Sequence, residues 1–199
     1  MLAAVLLALA TVATAWSGYQ STRWNGEQAK AGARANALRI DSTKADGLAN
    51  AQTQVDVATF TQWVDAYARD DDRLARFYLA RFRPEFAPAV RAWVATRPLQ
   101  NPAAPLTPFA MPQYRLAARE EAERLDAQAE VQAGLARRDI QRATNYVLGV
   151  VLFASALFFA GMSTRMRSPR AAVALLAVGA AVFLLTTLWI ATSPVSVSV

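Results

Sequence analysis

Two apolar runs, Ala143 to Met162 and Ala171 to Thr192, constrain everything else this chain can do. Neither contains a charged residue, and each matches the roughly 20 residues a helix needs to cross a hydrocarbon core about 30 Å thick. The turn between them, 163–170, holds Arg165, Arg167 and Arg170 and no acid. The pair therefore reads as a transmembrane hairpin of spans 143–162 and 171–192, followed by a tail, 193–199. The three arginines are its topology determinants, because the positive-inside rule acts on short loops.

Met1 to Trp16 is also uncharged, and no charge appears before Arg23. It predicts a short first span, 1–16. The rival reading is a cleaved signal peptide, since Ala13-Thr14-Ala15 fits a small-x-small cleavage pattern, but the positively charged n-region is missing. Trp16, Gln20 and Trp24 follow at i, i+4 and i+8 with Tyr19 beside them. Rings at that level suit a headgroup region, so Trp16, Tyr19, Trp24 and Tyr146 are predicted membrane-interface anchors.

The region from Ser17 to Arg142 carries all 15 acidic residues and all but three of the 21 basic ones. The net charge of +6 divides equally between this region and the short arginine turn. With no Lys/Arg-rich run and no basic stripe with interleaved aromatics, nucleic acid is not an expected partner. The chain has no cysteine and no histidine. That removes disulfides, thiol nucleophiles, the usual zinc sites and the commonest general base. Asp70-Asp71-Asp72 lacks the spacing of a calcium loop and is better read as a helix cap. No metal or other cofactor is expected.

Within 17–142, Trp24, Gln28, Ala31, Ala35, Leu38, Ser42, Ala45, Ala49 and Gln52 recur at alternating steps of four and three. Ala118 to Ala143 repeats that spacing. Both are seams of small residues, which bury little area each and so need a partner helix along their length. The expectation is an antiparallel stalk, 17–54 with 113–142, broken near Asp41 to Gly47. Between its halves, 55–112 gathers most of the aromatics, with helices predicted near 55–68, 72–82 and 85–96. Five of the nine prolines fall between Arg97 and Pro112, which predicts an extended strap closing the head. The fold class is thus all-α: three membrane helices, a helical stalk and a small aromatic head.

Three stretches, 13–29 (ATAWSGYQSTRWNGEQA), 81–93 (RFRPEFAPAVRAW) and 145–161 (NYVLGVVLFASALFFAG), resemble an uncharacterised family of bacterial integral membrane proteins. The resemblance implies a multi-pass protein of the bacterial inner (cytoplasmic) membrane and no activity, substrate or catalytic residue. It also implies a charged segment before the first span. This chain opens inside its apolar run, so the expectation is a displaced start or a lost tail. Orientation is divided on charge alone, because Arg23, Lys30, Arg137, Arg138 and Arg142 flank the long segment. Long segments translocate largely regardless of charge, so 17–142 is placed outside the cytoplasm.

As an enzyme the chain offers Glu85 as its best general acid or base, unaccompanied by a phosphate loop, nucleophile elbow or carboxylate pair. As a transporter it lacks ionisable groups in its spans. The expected function is a structural, accessory or interaction module, with a ligand-sensing or channel-accessory subunit acting in an oligomer as the alternative. Its expected partners are the lipid bilayer and either a second copy or another membrane protein. The candidate recognition surface is Arg81, Arg83, Glu85, Phe86, Arg91 and Trp93, beside the proline strap.

Overall fold

The computed structural model describes residues 1–98 and 100–196; Leu99, in the expected strap, and 197–199, in the expected tail, lie outside the described residues. The chain is all-helical, with five α-helices and no strand among the described residues: α1 Leu2–Ala68, α2 Asp72–Leu79, α3 Ala87–Ala95, α4 Ala117–Ser163 and α5 Pro169–Ala191. Helices α1, α4 and α5 are each long and apolar enough to cross a membrane. By its internal contacts the chain divides into two compact units, Met1–Ala35 with Glu130–Val199, and Asn36–Ala129.

In the first unit, α4 and α5 approach closely where side chains are smallest. Ala156 and Ala160 of α4 are fully buried. A Cβ added to Gly179 of α5 would lie 3.2 Å from the Ala156 carbonyl oxygen and 3.2 Å from Phe159 Cβ. Alanine pairs four apart let helix backbones meet in this way. Two further alanine pairs at this spacing in the apolar runs, Ala4/Ala8 and Ala177/Ala181, are exposed. Outward positions such as Leu9, Val12, Val151, Phe158, Leu184 and Leu188 are exposed and apolar, a surface suited to hydrocarbon and costly in water.

The expected break between Asp41 and Gly47 does not occur; α1 runs unbroken from Leu2 to Ala68. Helix-compatible contacts fill that stretch: Lys44 pairs with Asp41 at 3.0 Å, Asn50 donates to Asp46 at 3.1 Å, and Thr43 Oγ1 bonds back to the Arg39 carbonyl. One interior glycine costs about 1 kcal/mol and is no breaker without proline. The helix expected near 55–68 is accordingly the end of α1 and not a separate element.

The second unit is built round aromatic rings. Trp63, Phe82, Phe86 and Val90 are buried together, with Phe60, Trp93, Phe109 and Tyr114 packed against them. Phe86 is at the centre, stacked on Phe109 at 5.0 Å and edge-on to Phe82 at 5.1 Å. Asp71 caps α2, accepting the Leu74 N–H at 3.0 Å. Helix α2 stops at Leu79, not near residue 82. Helix α3 begins at Ala87 with Pro88 in its first turn. Between Arg97 and Pro112 the one described helical piece is the 3-10 turn Pro108–Ala110.

Candidate functional site

Asp56 lies on the inner face of α1 with 1% of its surface exposed. A buried carboxylate needs a partner, and Arg83, between α2 and α3, supplies one at 2.8 Å. The Tyr114 hydroxyl donates to the same oxygen, Oδ2, at 3.2 Å and lies 3.3 Å from Thr53 Oγ1. The second arm of Arg83 pairs with Glu85. The other Glu85 oxygen accepts the Ala117 N–H at 3.3 Å, which satisfies a donor at the start of α4. This anchoring places the start of α4 at Ala117, four residues later than the Gln113 expected from spacing. Burial is the largest influence on Asp56 and holds its pKa above 3.8, against the opposing pull of Arg83 and Tyr114. Burial likewise raises Tyr114 above 10.0.

These contacts correct the expected recognition surface. Arg83 and Glu85 are spent on internal pairs, and Phe86 is fully buried. Arg81 and Arg91 are exposed, each bonded back to its own segment: Arg81 stacks 3.7 Å over Phe77, and Arg91 Nε donates to the Ala87 carbonyl. Trp93 is half-buried, its indole N–H donating to the Pro105 carbonyl at 2.7 Å. The six residues therefore form no common open face. Glu85 pairs with Arg83 and accepts the Ala117 N–H.

The head does contain a cleft, of about 210 Å³, which Trp93 alone of those six lines. Trp63 and Tyr67, stacked at 5.4 Å, form another wall, with Val94, Arg97 and Pro98 at the rim. Trp63 and Tyr67 were legible as aromatic residues one helical turn apart. Arg97 was not, because its place depends on a turn that no local pattern announces.

The interface anchors also separate. Trp16 and Tyr19 are exposed on α1 with ring centroids 6.0 Å apart. Trp24 and Tyr146 instead point inward, 9% and 1% exposed, and are not lipid-facing anchors. The Trp24 indole N–H and the Tyr146 hydroxyl both donate to the Pro194 carbonyl at 3.2 Å. Gln20 accepts the Ser196 N–H at 3.0 Å, and Arg142 stacks 4.5 Å over Trp24. An amphipathic ring near a span end satisfies its polar tip equally well with lipid headgroup or with backbone, and here backbone is nearer. Arg165, Arg167 and Arg170 are exposed.

No family model, curated protein or solved structure matches the chain.

Proposed function

We propose that this protein is an accessory or interaction module of a bacterial inner membrane, with a helical domain outside the cytoplasm whose aromatic head carries recognition. The observation that bears most weight is the contrast between the two units. The apolar spans hold no Asp, Glu, Lys, Arg or His, whereas the head holds a cleft walled by aromatic rings, the usual make-up of a selective site. An antiparallel stalk is supported by contacts in which one partner's number rises as the other's falls: Ser42 with Ala122 at 2.9 Å, Asp46 with Arg119 at 3.2 Å, and Thr53 with Tyr114 at 3.3 Å. The partners on this reading are the lipid bilayer and a second copy or another membrane protein.

Co-purification after crosslinking in native membranes tests the reading. The intact chain is compared with one in which 55–112 is replaced by a short turn, and with Tyr67→Ala, which alters the cleft at an exposed position. Loss of the same partners from both variants is expected. Their undiminished recovery from both would move recognition to the membrane helices.

A further inference from the structure

We propose that the cleft beside Trp63 binds a small planar organic anion, an aromatic carboxylate of one or two rings. This rests on the reading of the head as the recognition part and adds the chemistry of what it takes. The walls are fixed before any ligand arrives: Trp63 stacks on Tyr67 with ring planes 20° apart, and Trp93 is pinned through its N–H to Pro105. Trp63 is itself stacked between Phe60 and Tyr67, so a flat ring would lie on the remaining aromatic wall, Tyr67 and Trp93, whose fixed rings cost little ordering. The volume, about 210 Å³, is below the roughly 300–1,000 Å³ of drug-sized sites, which limits the ligand to one or two rings.

The polar groups set its charge. The indole N–H of Trp93 is already committed to the Pro105 carbonyl. Arg97 is exposed and in no ion pair among the described residues, and no acid lines the cleft. Its backbone is held in the left-handed region, φ 53°, by its own N–H on the Val94 carbonyl and by the Gln100 and Asn101 N–H groups on its carbonyl. A non-glycine residue there costs about 1–2 kcal/mol, and strain of that kind persists where the surrounding structure over-determines it. Arg97 is a cationic donor at the cleft. A cation would be repelled, and a neutral hydrocarbon would gain nothing from the guanidinium, whereas a carboxylate can accept from it.

Titration of the full chain in lipid nanodiscs with 2-naphthoate and with its neutral amide, read by ligand-observed NMR, tests the site. The acid is expected to bind at least about tenfold more tightly than the amide. Arg97→Gln should abolish that preference and Arg97→Lys should keep part of it, while Tyr67→Ala weakens both ligands together. Equal affinity for acid and amide, an unchanged preference in Arg97→Gln, or no binding of either ligand would overturn the proposal. Those results leave partner recovery from native membranes untouched, so failure here and failure of the recognition reading are distinguishable.

Discussion

Asp56 shows what a single buried charge does to this head. Its carboxylate has lost water and kept two donors, Arg83 and Tyr114, yet burial prevails and its pKa lies above 3.8. A carboxylate whose pKa is raised on folding binds more protons folded than unfolded, so stability falls as pH rises through the window above about 3.8. Lowering pH through that window towards 3.8 should therefore raise the contribution of Asp56 to the melting temperature of the helical signal. Asp56→Asn should flatten that response; a pH response of equal size in the variant would exclude Asp56 as its source. Removing the partner is the harsher change. Arg83→Ala leaves Asp56 buried with Tyr114 alone, and breaking a buried pair costs roughly 3–5 kcal/mol, reduced here towards the lower figure because Arg83 is 23% exposed. Urea unfolding should show Arg83→Ala to be less stable than Asp56→Asn.

At the scale of the helices, small residues decide how near two backbones come. Gly149 and Gly179 look alike in sequence and differ in what surrounds them. A Cβ at Gly149 would meet the Ile190 side chain, Cδ1 at 2.9 Å and Cγ1 at 3.2 Å, which a shift of that side chain can relieve, whereas one at Gly179 would meet the Ala156 carbonyl oxygen at 3.2 Å, which is backbone. Alanine is worth about 1 kcal/mol over glycine within a helix. Gly149→Ala is expected to be neutral or stabilising, and Gly179→Ala to cost about 1–3 kcal/mol as α5 is forced off α4. Steric-trap unfolding in bicelles would separate them; equal effects would contradict the close contact. The helices themselves were legible because their signals are local. Uncharged length marks three of them, and positions at steps of four and three are buried or half-buried from Leu6 to Ala66 on α1 and from Ala118 to Ala160 on α4. The break at Asp41 to Gly47 was misread because glycine and aspartate weaken a helix without ending it. The destinations of Trp24, Tyr146, Arg83 and Phe86 were not legible. Each depends on residues distant in sequence, Pro194 for the first two and Asp56 or Phe109 for the others.

For the whole molecule the deciding quantity is the number of crossings. At one end of the membrane unit Met1, Leu2 and Ala3 line a groove with Ser163, Thr164 and Ala172; at the other, Gln20 and Trp24 hold Ser196 and Pro194. The apolar parts of α1, α4 and α5 thus all run between the same two ends, and the basic turn shares its end with Met1. On the proposed reading, in which all three cross a bilayer, Arg23, Lys30 and Arg142 lie on the opposite side from Arg165, Arg167 and Arg170, and the divided charge count resolves one way. On the orientation we propose, the shorter loop carries the greater weight and the three arginines face the cytoplasm. The chain has no cysteine, so single introduced thiols report without background. Ala33→Cys and Ser168→Cys both replace exposed residues within that unit. In intact spheroplasts an impermeant maleimide should label Ala33→Cys, and should label Ser168→Cys after lysis alone. The opposite pattern would reverse the orientation and turn the head, with its cleft, towards the cytoplasm.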